Sequence, residues 1–64
     1  MTKTITPAVV RQLTKGLVEF GYEGLTEETV QTEVNKLQAG EKATGIIGMM
    51  VRGTLVKNGY IEED

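Results

Sequence analysis

Apolar positions along the chain fall into three groups separated by glycine-containing turns. In the first, Val9, Val10, Leu13, Leu17 and Phe20 recur at intervals of three and four. That spacing places them along one face of a helix. Arg11, Lys15 and Glu19 form a polar strip on the same segment. Thr6-Pro7 marks its start: threonine caps free N–H groups, and proline at the first helical position lacks an N–H that would go unpaired. Gly21 ends it, with Tyr22 placed to fold back on Leu17. Glu23-Gly24 then turns the chain into Leu25-Thr26-Glu27-Glu28, a second helix start. Thr26 is its cap, the glutamates suit the positive end of the helix dipole, and Leu25 with Val30 suits a hydrophobic staple. Val30, Val34 and Leu37 give this helix a narrow apolar stripe on an otherwise polar surface, and Gly40 stops it.

The third group is the densest. From Thr44 to about Lys57, residues Ile46, Ile47, Met49, Met50, Val51, Leu55 and Val56 surround most of a helical circumference. A helix apolar on nearly all sides is expected to be central and covered by its neighbours. Asn58-Gly59 ends it, and Tyr60-Ile61 is placed to fold back onto the core. Interior helical glycines cost about 1 kcal/mol each relative to alanine. Gly45, Gly48 and Gly53 in this helix, with Gly16 in the first, therefore call for a compensating gain. The expected one is close approach of another backbone where no side chain fits; a local kink is the alternative. A strand over Thr44–Val51 is disfavoured, because apolar and polar residues do not alternate there and no partner strand offers itself.

Composition narrows the chemistry. A chain of 64 residues is one domain. At that size roughly 60% of the unfolded surface is buried, which leaves a thin core. There is no cysteine, hence no disulfide and no thiolate zinc site. There is no histidine, the commonest general base and neutral metal ligand. The formal charge of −2 lacks the basic excess of a dedicated nucleic-acid binder. The segment Met1–Pro7 has no apolar signal-peptide core, and the longest apolar stretch, ending at Arg52, is far short of the roughly 20 residues of a membrane span. These features point to a soluble, cytoplasmic, non-enzymatic chain with no cofactor and no metal.

The candidate sites each meet a plainer structural reading. Gly40-Glu41-Lys42-Ala43-Thr44-Gly45 has the outline of a phosphate loop, but the Gly-Lys-Thr order and the preceding strand are missing, so it reads as a turn between helices. Glu27 and Glu28 are adjacent in a helix and point apart, which suits the dipole and not paired acid–base work. Met49 and Met50 suit core filling and, where uncovered, an adaptable docking surface. Arg11, Lys15, Arg52 and Lys57 would make a small basic patch if their faces met, enough to neutralise only a few phosphates.

Two partial resemblances follow from these segments. LVEFGYEGL, EVNKLQ and TGIIGMMVRGTLV together are similar to three-helix domains of the ubiquitin-associated type, with Phe20-Gly21-Tyr22 standing where that family has a Met-Gly-Phe/Tyr loop. The resemblance implies a protein-binding surface made of Phe20 to Tyr22 and the end of the third helix. TLVKNGYIEE resembles the end of a winged-helix recognition helix, without residues for the wing hairpin.

The expected fold is all-α, a small three-helix bundle with the C-terminal helix central and helices of about 14, 12 and 14 residues. Residues 1–5 are expected to be a flexible leader, 6–61 the domain and 62–64 an acidic tail. The expected core is Val9, Leu13, Leu17, Phe20, Val30 and Val34, with Leu37, Ile46, Ile47, Met50, Val51 and Leu55. The expected function is docking of a protein partner, or of a second copy, through an apolar patch on the C-terminal helix. Its interface residues would be Phe20, Gly21, Tyr22, Gly45, Met49, Val56 and Tyr60. A small helix-turn-helix DNA-binding regulator is the alternative.

Overall fold

The computed structural model describes residues 3–62. It is all-α: α1 (Pro7–Phe20), α2 (Glu27–Gln38) and α3 (Gly45–Lys57) form a three-helix bundle. Its radius of gyration, 10.7 Å, is the value of about 10.7 Å expected for a folded domain of this length. The helices therefore pack on one another and do not splay.

Local chemistry sets the helix ends. Thr6 Oγ1 accepts the Val9 N–H at 3.3 Å, and Thr26 Oγ1 accepts the Thr29 N–H at 3.2 Å. Thr26→Ala should cost about 1 kcal/mol, read as a lower urea midpoint at unchanged slope. The three helices terminate alike. The N–H groups of Tyr22, Glu41 and Tyr60 bond back to the carbonyls of Leu17, Lys36 and Leu55, at 3.1, 3.0 and 2.8 Å. Each closure passes through a glycine of positive φ: Gly21, Gly40 or Gly59. Thr44 caps nothing through its side chain. Gly45, at φ +74°, turns the chain sharply there instead.

The core consists of Val10, Leu13 and Leu17 from α1, Val30 and Val34 from α2, and Val51 and Leu55 from α3. Leu25 packs against it beside Val30, which completes the staple at the start of α2. Thr14 is buried with them and donates its hydroxyl to the Val10 carbonyl at 2.8 Å, so no orphan polar group results. Helix α2 approaches both other helices closely along the backbone, whereas α1 and α3 approach each other less. The side chains explain this. Helix α2 buries short valines, while α1 and α3 face each other across leucines and a methionine. The helix packed closely against both others is therefore α2 and not, as expected, the C-terminal helix, although α3 supplies the largest fully buried side chain, Leu55.

Two expected core residues are outside. Phe20 is 73% exposed and Ile46 69% exposed. The buried sector of α1 runs through Val10, Leu13, Thr14 and Leu17, so the helix is turned toward α2. That rotation buries Val10 in place of Val9, which is only half-buried, and swings Phe20 off the edge. On α3 the buried stripe is Gly48, Val51 and Leu55. At 100° per residue, Ile46 falls on the opposite side. Leu37, Ile47 and Met50 are half-buried and pack against the core from its rim.

The N-terminal leader is partly docked. The Lys3 N–H donates to the Gly59 carbonyl at 3.0 Å, the Lys3 Nζ lies 5.3 Å from the centroid of the Tyr60 ring, and Ile5 packs on the core. Met1 and Thr2 of the leader, and Glu63 and Asp64 of the acidic tail, lie outside the described residues; Glu62 is exposed.

Candidate functional site

The exposed surface carries several large apolar side chains. Among the described residues, Phe20, Ile46 and Met49 (64%) are the large hydrophobics left exposed. Their positions are related through α1 and α3. One hollow of about 310 Å³ is lined by Gly16, Leu17 and Phe20 on α1 and by Met50 and Thr54 on α3. A second, of about 190 Å³, is lined by Val9 on α1 and by Leu55, Asn58 and Tyr60 on and beyond α3. Gln12, Leu13 and Thr54 border both. Later residues of α3 thus lie beside earlier residues of α1, so the two helices run antiparallel. The C-terminal end of α1 and the N-terminal half of α3 share one end of the bundle. Ile46 stands one turn before Met50 on the same side of α3, whereas Met49 borders a separate depression lined also by Leu37, Glu41, Lys42 and Arg52.

Phe20 is held by the helix stop that follows it. Gly21, at φ +128°, reverses the chain and lets Tyr22 return. The Tyr22 ring stacks on Phe20 with centroids 6.3 Å apart and planes 14° from parallel. Tyr22 itself packs against the core. An anchored ring supporting an exposed one limits the freedom of Phe20 and lowers the entropy lost when a partner covers it.

The glycines divide by environment. The expected intrachain backbone approach is absent at Gly16, Gly45 and Gly53, where an added Cβ would meet nothing within 4 Å. Gly45 serves its positive φ. Gly48 alone is tight: a Cβ there would lie 2.8 Å from Glu33 Oε1, the tip of a side chain whose other oxygen is 3.6 Å from Lys36 Nζ. Gly16 and Gly53 therefore reduce helix stability without any gain inside the chain. Gly16 lines the hollow beside Phe20, and Gly53 lies on the outer side of α3 in the depression that Met49 borders.

The seven expected interface residues are not brought together as one surface. Phe20, Gly21, Gly45 and Met49 are exposed, Tyr22 is half-buried at the same end, and Val56 is half-buried. Tyr60 is half-buried at the opposite end, between the second hollow and Lys3. The surface implied by the ubiquitin-associated resemblance, Phe20 to Tyr22 with the end of α3, is likewise not formed, because antiparallel packing sends the end of α3 toward Val9. Sequence reasoning missed Ile46, Gly16 and Gly53 as members of the exposed face. The available signal was the stripe Gly48, Val51 and Leu55, whose choice as the inner face would have turned Ile46 outward.

Arg11 and Arg52, two of the four residues of the expected basic patch, lie apart. Arg11 Nε lies 3.8 Å from Glu27 at the start of α2, a largely exposed pair worth little to stability. Arg52 lies beside Leu37 near the end of α2, about 15 Å further along at 1.5 Å per residue. Lys42 and Arg52 border the same open depression as Glu41 and Glu62, so that surface is of mixed sign. Among the described residues no helix is long and apolar enough to cross a membrane. No family model, no curated protein and no solved structure matches the chain.

Proposed function

We propose that this chain is a non-enzymatic protein-interaction module that docks through the apolar end formed by Phe20, Ile46, Met49 and Met50. The observation that carries this reading is the exposure of the large apolar side chains Phe20, Ile46 and Met49, with Phe20 beside an uncharged hollow between α1 and α3 that Met50 also lines. Exposed apolar surface of this kind on a small domain suits a partner that covers it. A cytoplasmic setting belongs to the same proposal, in keeping with a chain that uses no cysteine. The dispersal of Arg11 and Arg52 along α2 weighs against the nucleic-acid alternative, which needs a convergent basic face.

The reading is tested by Ile46→Lys and Phe20→Lys. Both sites are exposed, so the melting curves should shift by no more than the equivalent of about 0.5 kcal/mol. Binding to a partner recovered from an extract of the cells that make the protein should be lost with either variant, and wild-type binding should change little with salt. Retained binding by both variants would remove this end of the bundle as the docking surface. A steep fall in affinity with salt would favour a nucleic-acid partner instead.

A further inference from the structure

We infer that Asn58-Gly59, at the end of α3, is a site of spontaneous deamidation that the folded chain holds closed. The reacting groups belong to the chain, and water is the co-reactant. The Gly59 amide nitrogen gives its proton to hydroxide and bonds to Asn58 Cγ. The Cγ–Nδ2 bond breaks, and Nδ2 leaves as ammonia. Water then opens the cyclic imide at either carbonyl, which yields aspartate or isoaspartate.

The sequence makes this step accessible. The attacking nitrogen belongs to a glycine, so no Cβ shields it. Asn58 and Gly59 are both exposed, so water and hydroxide reach them. Asn35, the other asparagine, is followed by Lys36 within α2 and lacks this opening.

Three features of the fold oppose the step. Asn58 Nδ2 donates to the Thr54 carbonyl at 2.8 Å, which draws the side-chain amide back along α3 and away from Gly59. The Gly59 N–H donates to the Val56 carbonyl at 3.1 Å, so the proton that must leave is held. With ψ at 7°, the Gly59 nitrogen eclipses the Asn58 nitrogen, whereas ring closure needs it alongside Cβ. All three are released together when the last turn of α3 opens, and helix ends are where opening is easiest. Two contacts keep this end shut. The Tyr60 N–H donates to the Leu55 carbonyl at 2.8 Å, and the Lys3 N–H donates to the Gly59 carbonyl at 3.0 Å, with Lys3 Nζ over the Tyr60 ring. The leader is thus a strap across the site.

Neither product fits the closed end. Aspartate sets a carboxylate against the Thr54 carbonyl, at the negative end of the helix dipole. Isoaspartate also adds a methylene to the main chain before Gly59, which displaces Gly59 from Lys3 and Tyr60 from Leu55. Deamidation therefore loosens the strap permanently. It does so at the end of the bundle opposite Phe20, independently of the docking reading.

Incubation of the full chain at mildly alkaline pH, with peptide mapping by mass spectrometry, tests this. Deamidation should appear at Asn58 and not at Asn35. It should be at least about tenfold slower in buffer than in guanidinium chloride. Lys3→Pro removes both the N–H and the ammonium of the strap. It should keep its helix content by circular dichroism and react several-fold faster than the wild type in buffer, at an unchanged rate in denaturant. A wild-type rate in buffer equal to that in denaturant overturns the inference, because the fold would hold nothing closed. An Asn58 that stays intact in denaturant overturns it as well. A Lys3→Pro rate in buffer equal to that of the wild type overturns the role given to the strap.

Discussion

Leu55→Ala should cost about 2–5 kcal/mol, while Ile46→Ala on the same helix should cost nothing measurable. Leu55 is 1% exposed and the largest of the fully buried side chains. Val30, Val34 and Val51, each fully buried, share its core, and the Leu55 carbonyl also accepts the closing hydrogen bond from Tyr60. Truncation removes three buried carbons and leaves a void lined by short valines that cannot move in to fill it. Ile46, 69% exposed, loses a similar number of carbons to solvent and gains alanine's helix propensity. A domain of this size holds roughly 3–10 kcal/mol at about 0.05–0.15 kcal/mol per residue. The Leu55 variant should therefore lose about half of its stability, with a correspondingly lower urea midpoint, and the Ile46 variant should melt with the wild type. Urea titration followed by circular dichroism measures both. Equal effects would mean that α3 is turned about its axis relative to the arrangement described.

The second large effect has opposite signs at different glycines. The double variant Gly16→Ala, Gly53→Ala should raise stability by about 2 kcal/mol, roughly 1 from each site. Both glycines lie within helices with no positive φ, and an added Cβ meets nothing at either. For a domain of this size that corresponds to a rise in Tm of about 8–16 °C. Gly40→Ala should move the other way by about 1–2 kcal/mol, because φ +88° is a left-handed conformation that alanine resists. Thermal melts at low concentration, where any self-association is dissociated, make the comparison. If the double variant were no more stable than the wild type, the spaces above Gly16 and Gly53 would have to be occupied within the monomer. The whole account of an uncovered face would then fail. The chain thus keeps two glycines, Gly16 and Gly53, beside which its own fold packs nothing.

The helix ends were legible in the sequence to within a residue. Each is set by chemistry within a few positions: Thr6 and Thr26 bind N–H groups three residues on, and Gly21, Gly40 and Gly59 close the C-terminal turns. The inward faces of α1 and α2 were legible too, because their apolar residues occupy one side. Leu13, Leu17, Val30 and Val34 are buried accordingly. The site was read less completely. Met49 and the turn at Phe20-Gly21 are exposed, but Tyr60 belongs to the other end of the bundle, and Phe20 and Ile46 had both been expected in the core.

What the sequence by itself determined is therefore three helices, their limits and the orientation of the two amphipathic ones. The tertiary structure decided the rotation of α3, the turn of α1 toward α2, and with them the residues left outside. The reason is one of information along the chain. Capping and periodicity are local and act within one or two helical turns. A helix apolar on most sides, as α3 is, presents several equivalent inward faces, and the choice falls to its neighbours. Short valines on α2 drew both other helices close and left α1 and α3 apart. The hollow lined by Gly16, Phe20 and Met50 exists only once the three helices are packed together.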